Sequence, residues 1–389
     1  QDMKNKLHTL IAAACALLTL QAIPALAADP IKIAALVELS GAGATSGTNF
    51  KNGVELAVKE INASGGVLGR NIELNAADTQ SNPGVAKGLA QKAVDDGVTA
   101  VFGPVFSGSI LVSMAETRRA EVPNFTGGEA AAITKQGNPY IFRTSFTQDT
   151  AMPKVARYIA NNLKAKTVAL IYVNNDFGKG GRQSLNQALE ALGVKMVADI
   201  STEQSQVDFS AAVLKAKQSN ADVVFSYTNE EESARLLREL RKQGVTKPVV
   251  GETVLTSQKV IELAGEASNG AVAHVGLTVD APIPGVRAFR AKFEKEYKYT
   301  PDHNGIKGYT GVYMLKAAIE KVGKVDRKLI AQTLHGMKIN IAQNPGVLMD
   351  VAIDANGDLD RVSFLTEARG GKQEIKEVLP ALGSAPASK

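Results

Sequence analysis

The chain has almost no cysteine. The single one, Cys15, lies inside the opening apolar run, so the rest of the chain carries no material for a disulfide, a thiolate metal site or a cysteine nucleophile. Histidine is nearly as scarce. Of four, His8 falls in the same opening run, and His274, His303 and His335 show no metal-ligand spacing such as HExxH. No metal or other cofactor is therefore expected. A strong excess of one charge is missing too. The net +5 is spread along the chain, and the densest runs, Arg235–Lys242 and Lys292–Lys298, alternate in sign as solvated helix faces do. That pattern argues against a nucleic-acid partner. Beyond residue 27 no apolar run reaches the ~20 residues of a membrane span, so the mature chain is expected not to be membrane-embedded. Catalytic signatures are absent as well: no P-loop GKS/T, no GxSxG, and no histidine visibly placed for a Ser/His/Asp triad. Asp176 and Glu252 could pair as carboxylates, but both read as loop residues with other roles. An enzyme is not expected.

What is there begins with a leader. Met3 opens a basic start (Lys4, Lys6), then an apolar run from Leu7 to Leu20, a break at Pro24, and Ala25-Leu26-Ala27 as a small–x–small cleavage pattern. Residues 1–27 read as a signal peptide and predict a periplasmic protein. Removing them takes away Lys4, Lys6 and Asp2 and leaves a net charge of +4. Ala12-Ala13-Ala14-Cys15 is a poor lipobox, because the apolar run continues past the cysteine and position 12 is not leucine, so lipid anchoring is not expected. The remaining length, about 360 residues, is long for one core and fits two domains.

Strand and helix patterns then alternate almost throughout. Ile31–Val37 is a short apolar run bounded by Ser40-Gly41, as a buried parallel strand should be. The small-residue loop Gly41–Gly47 comes next, then Val54, Leu56, Ala57 and Ile61 at helical spacing, Gly65-Gly66 as a stop, and a second strand, Ile72–Ala77. Further strands are expected at Val98–Phe102, Thr167–Val173, Val194–Ile200, Val223–Tyr227, Pro248–Val250 and Ala271–Val275, with helices between them. This is the signature of βαβ units and a parallel sheet. Two similar blocks, from Ile31 and from about Lys166, predict two α/β lobes. Tyr140–Thr144 is suited to crossing between them. After Ala271 come helices at Val286–Tyr297, Gly308–Val322 and Lys328–His335, then a hairpin of Val347–Ile353 and Arg361–Thr366 turning at Asp354-Ala355-Asn356-Gly357. In open α/β sheets the ligand sits beyond the carboxyl ends of the strands, where Gly41–Gly47 lies. That loop contains GxGxxxG, one residue longer than the dinucleotide spacing, and Asp78 is not at the ~20-residue offset such a site requires.

The chain resembles the periplasmic leucine/isoleucine/valine-binding protein family, the type I solute-binding proteins of ABC transporters. The resemblance rests on the order and spacing of IKIAALVELSGAGATSG, FKNGVELAVKEINASGGVLG, the Asp78-Thr79 strand end, VFGPVFSGS, PNFTGGEAA, YIFRTS, VALIYVNNDFGKG, Val207-Asp208-Phe209-Ser210 and the DANGD turn. It implies two Rossmann-like lobes joined by three crossovers, with a ligand cleft between them. The first lobe would be 28–146 with 274–342, the second 147–273 with 343–380, and 381–389 a loose tail. It also implies hinge closure on a solute, docking on an ABC-transporter permease, and a monomer as the family default.

The resemblance carries over to individual positions. Ser107, where a strand ends and a helix starts, would offer its hydroxyl and nearby amides to a ligand carboxylate, a placement that would also suit a helix cap. Gly128 and Ala130 match a second contact segment, where Ala130 can offer only backbone and Glu129 adds a charge beside the cleft. Phe177 and Asn229 match wall positions of the second lobe. Family members for aliphatic amino acids often hold the ligand ammonium with a glutamate at the position of Thr253, and here Glu252 stands one residue earlier. Thr45 and Ser46 would line the cleft mouth. The expected ligand is a small amino acid of the branched-chain or aliphatic type. The alternatives are a carboxylate without an α-ammonium, aromatic or keto acid, and a soluble sensor subunit.

Overall fold

The structure, a computed structural model, describes residues 29–381. The expected signal peptide, with Cys15, and all but the first residue of the expected tail lie outside the described residues. The first sheet consists of β1 (Ile31–Val37), β2 (Ile72–Asp78), β3 (Ala100–Phe102), β4 (Asn124–Thr126) and β5 (Ile141–Arg143), all parallel, in the order β2-β1-β3-β4-β5. Helices α1 (Ala44–Ala63), α2 (Pro83–Asp95) and α3 (Ser107–Arg119) connect them. Along β1 the side chains divide between two cores. Ile33, Ala35 and Val37 enter one and Ala34 and Leu36 the other, as a strand covered on both faces requires.

The second lobe repeats the plan. It contains α4 (Gln148–Arg157), β6 (Thr167–Val173), α5 (Asp176–Glu190), β7 (Lys195–Thr202), α6 (Ser210–Gln218), β8 (Val223–Tyr227), α7 (Glu230–Lys242), β9 (Val249–Glu252), α8 (Gln258–Ala264) and β10 (Val272–Val275). Helices α9 (Pro284–Tyr297), α10 (His303–Val322) and α11 (Arg327–Leu334) come after it. The chain ends in five strands: β11 (Lys338–Ile339), β12 (Val351–Ile353), β13 (Leu359–Asp360), β14 (Ser363–Arg369) and β15 (Lys372–Leu379). The last two are antiparallel additions to the second sheet, whose order is β15-β14-β10-β9-β8-β6-β7.

Three differences from the sequence reading have physical causes. Gly41–Gly47 is not a loop: Gly41–Gly43 form a 3-10 turn and α1 begins at Ala44. Its glycines are needed for packing, since a Cβ on Gly47 would lie 1.9 Å from the Glu38 carbonyl oxygen. The hairpin partner of β12 is β13, not the stretch from Arg361, which crosses to the second sheet. The hairpin turn lies beside β5, where the Arg143 amide donates to Gly357 O at 2.9 Å. This differs from the expected second lobe of 147–273 with 343–380, because the hairpin within that last stretch lies against the first sheet. Strand β15 is absent from the sequence reading, because Lys372, Glu374, Lys376 and Glu377 give it the polarity of a half-exposed edge.

Helix α10 joins the first lobe by crossing α1 at glycines. A Cβ on Gly53 would lie 2.0 Å from Gly305 O, and one on Gly308 2.1 Å from Phe50 O. This close crossing fixes the first turns of α10 against α1. Replacing Gly53 with alanine improves helix propensity by roughly 1 kcal/mol, yet the methyl group must push two backbones apart. The expected net effect is a destabilisation of about 1–3 kcal/mol, read as a lower midpoint in urea unfolding. A midpoint equal to or above the wild-type value would mean that the crossing has room to spare.

Candidate functional site

The site begins with how the first turn of α3 is held. Glu38, fully buried at the end of β1, accepts hydrogen bonds from the Val105 and Phe106 amides, each at 3.0 Å. Burial raises the Glu38 pKa, and those two amides pull it back down. With the turn anchored from behind, Ser107 is not the cap. It is the first helical residue, and Phe106 occupies the cap position without a side-chain bond. Ser107 Oγ accepts from the Ala130 amide at 3.3 Å. The opening N–H groups of α3 have no intrahelical acceptor, as at any helix start, and they face a cavity.

Arg143 shapes the next wall. It is completely buried and donates to Gly128 O at 2.8 Å, Ala130 O at 3.1 Å, Thr134 Oγ1 at 2.9 Å and Asp358 Oδ1 at 2.7 Å. With the backbone of 128–130 gripped from one side, the Glu129 side chain turns to the cavity. There it pairs with Lys307 of α10 at 2.9 Å. Lys307 Nζ also donates to Gly127 O at 3.1 Å.

The second lobe closes the space. Phe177 stacks on Tyr227, with ring centroids 4.2 Å apart and 22° between planes. Gln148 Nε2 fixes both, donating to Phe177 O at 2.8 Å and Tyr227 Oη at 2.9 Å. Asn229 lies at the start of α7, where its amide donates to Glu232 Oε2 at 3.1 Å. Two hydroxyls of α1 reach across to the same helix end: Ser46 Oγ donates to Glu230 Oε1 at 2.9 Å and Thr45 Oγ1 to Glu231 Oε1 at 2.8 Å.

These walls enclose about 260 Å³. The structure brings Ser46, Ser107, Gly128, Phe177 and Asn229 together around it. Thr45 borders a larger hollow of about 980 Å³ instead. Ala130 sits behind the wall, its backbone engaged by Ser107 and Arg143. Glu252 and Thr253 do not line the cavity. Thr253 Oγ1 donates to Glu252 Oε1 at 2.5 Å, and His274 Nδ1 lies 3.1 Å from the same oxygen. The register of β9 aims Glu252 at β10, where His274 is its neighbour.

Sequence reasoning did not single out Lys307, Glu230, His303 or Asn304, all of which line the cavity. The available signal was a lysine at i+3 from Asn304 in the glycine-rich opening turns of α10. Glu230 was hidden in Glu230-Glu231-Glu232, an ordinary complement to a helix dipole.

Electrostatically the cavity is close to neutral. Burial, with the neighbouring Glu252 carboxylate, pushes Glu129 up to about 7 against the pull of Lys307. Burial pushes Glu230 up to about 8, and Asp302 and Glu231 add to it. His303 is held neutral, its pKa driven well below the ordinary imidazole range by burial and by Lys307.

Two parallel-sheet lobes meeting on one small, polar-walled cavity define a cleft-type solute binder. A family model described as periplasmic binding protein matches residues 30–372, and the chain belongs to that family. Its members are extracytoplasmic, non-enzymatic solute binders that work with ABC transporters. Among relatives, the Leu/Ile/Val-binding protein BraC3 of Rhizobium johnstonii is 29% identical over 87% of this chain and 91% of its own length. The substrate-binding protein LivJ of Streptococcus pneumoniae, a branched-chain amino acid transporter component solved with isoleucine, is 25% identical. It has a TM-score of 0.80 and covers 90% of this chain and 99% of its own. A solute-binding protein from R. palustris solved with benzoate shares the fold at 22% identity and TM-score 0.82, covering 91% of this chain and 97% of its own. Among the described residues no helix is long and apolar enough to cross a membrane.

The raised Glu230 pKa has a measurable sign. Between about 4.5, the ordinary carboxyl value, and about 8 the folded protein holds a proton that the unfolded chain has released. Stability is therefore fully present below that window and falls as pH rises through it. Urea unfolding of the ligand-free protein at pH 5 and pH 8 should show a larger loss for wild type than for Glu230→Gln. Equal losses would remove Glu230 as the source.

Proposed function

We propose that this protein is the periplasmic solute-binding component of an ABC importer, taking a small α-amino acid between its lobes and delivering it to a membrane permease as a monomer. The observation that carries the ligand reading is the pairing of opposites in one cavity. The first turn of α3, with Ser107, offers hydroxyl and N–H donors to a carboxylate, while Glu230 offers carboxyl oxygens to an ammonium. Gly128 would contribute through its backbone. Phe177 would supply an apolar wall, with Asn229 and Ser46 at the closing edge. In this reading Glu230, not Glu252, meets the ammonium, because Glu230 lines the cavity while Glu252 does not, its Oε1 being taken by Thr253 and His274. The names of relatives such as BraC3 and LivJ support starting with the branched-chain and aliphatic amino acids.

Lobe closure is the proposed motion. It is supported by the contacts that already bridge the halves, from Ser46 and Thr45 to Glu230 and Glu231. Of the proposed lobes, the first comprises 28–146 and 274–342 and the second 147–273 and 343–380, except that the β12–β13 hairpin within the last stretch goes with β5 of the first.

Calorimetric titration with leucine, its deaminated keto acid and benzoate tests the ligand class. Leucine should bind, and the keto acid should bind at least about tenfold more weakly, since an acid pocket left without its ammonium gains little. Ser107→Ala should weaken binding of the amino acid by on the order of tenfold. Tighter binding of the keto acid or benzoate sinks the amino-acid reading, and turnover of any ligand sinks the binder reading altogether.

A further inference from the structure

One end of the cavity is polar in a way that a purely aliphatic side chain leaves unused. Asn304, the second residue of α10, lines the cavity at 1% exposure, and its Oδ1 is buried with no donor among the described residues. The amide cannot simply be turned round. Its Nδ2 is committed to Asp302 Oδ2 at 3.4 Å, and its backbone N–H is held by Asp302 Oδ1 at 2.8 Å. The acceptor is therefore fixed in place, and a buried acceptor left empty costs on the order of 1–3 kcal/mol.

Lys307, one turn further along the same face, supplies the complement. An ammonium has three N–H donors, and two of them go to Gly127 O and Glu129 Oε1. The third has no acceptor among the described residues. Residues three apart on a helix are neighbours, so one free donor and one free acceptor stand side by side. The charge at this end is already spent, since Glu129 neutralises Lys307. A second carboxylate here would meet a neutral pair and the Asn304 carbonyl oxygen.

We propose that Asn304 and Lys307 form a side-chain subsite that selects an amino acid ending in an uncharged group able to both donate and accept, a hydroxyl or a primary carboxamide. The ligand oxygen accepts from Lys307 Nζ, and the ligand O–H or N–H donates to Asn304 Oδ1. The proposal rests on the reading of the ligand as an α-amino acid and narrows it from aliphatic to polar, uncharged side chains. A site built around such a bond discriminates strongly against an isostere that lacks it, because the protein groups are then buried unpaired.

The test is calorimetry on the whole protein with matched pairs: threonine against valine, and asparagine or glutamine against leucine. At least one polar member should bind about tenfold or more tightly than its apolar counterpart, and Asn304→Leu should invert that ratio. Circular dichroism checks that the variant is folded. If it is not, Asn304→Ala, which withdraws the acceptor without adding bulk, should abolish the preference. A wild-type preference for valine and leucine, or a ratio that neither substitution changes, overturns the subsite and leaves the amino-acid reading standing. If no amino acid of the panel binds, whether or not keto acids or benzoate do, both readings fall together.

Discussion

The buried guanidinium of Arg143 is the interaction on which the site depends. It takes a full charge out of water at the end of β5, which is tolerable only because its donors are met on several sides. Two go to carbonyls of the segment after β4, one to Thr134, and one to Asp358 in the terminal hairpin. A single side chain thus ties together a strand end, the wall of the cavity and a piece of chain more than 200 residues away. A shorter or uncharged residue could not serve all of them. The direction in which Glu129 points, and the reach of the Ala130 amide to Ser107, both result from that grip.

The second constraint is charge balance in a small volume. Ionisable groups crowd around the cavity, yet their arrangement avoids an uncompensated charge. Lys307 is matched by Glu129, and Glu230 retains its proton near neutral pH through burial and the acids around it. The anchoring of α3 by Glu38 works in the same spirit. The carboxylate takes amides at the base of the turn and leaves those that open on the cavity to a ligand.

Much of the architecture was legible in the chain. The buried parallel strands β1 and β6 read directly from short apolar runs, because both faces of each are covered. What periodicity could not show was the destiny of the last segments. Strand β15 is half exposed and lacks an apolar signature, and the hairpin pairs with whichever strand tertiary packing presents. Among site residues, Ser107 was visible because it stands where a strand ends and a helix starts, and Phe177 only through the resemblance to the binding-protein family. Lys307 and Arg143 were not, since a buried cation is defined by partners far away in sequence. Glu252 shows the limit most clearly: neither it nor Thr253 reaches the cavity, and its Oε1 is met by Thr253 and by His274 on the neighbouring strand.

Gly108, in the first turn of α3, has a geometric meaning beyond helix start. A Cβ there would lie 2.9 Å from Asp176 Oδ2 at the opening of α5, so the two helix ends approach across the cleft with no room for a methyl group. The lips of the cleft therefore meet at a point where one side chain is missing and the other carries a charge. The seam is bare backbone against a carboxyl group, so any side chain at position 108 would hold the two helix ends apart. The width of the cleft at this point is therefore set by the absence of one methyl group.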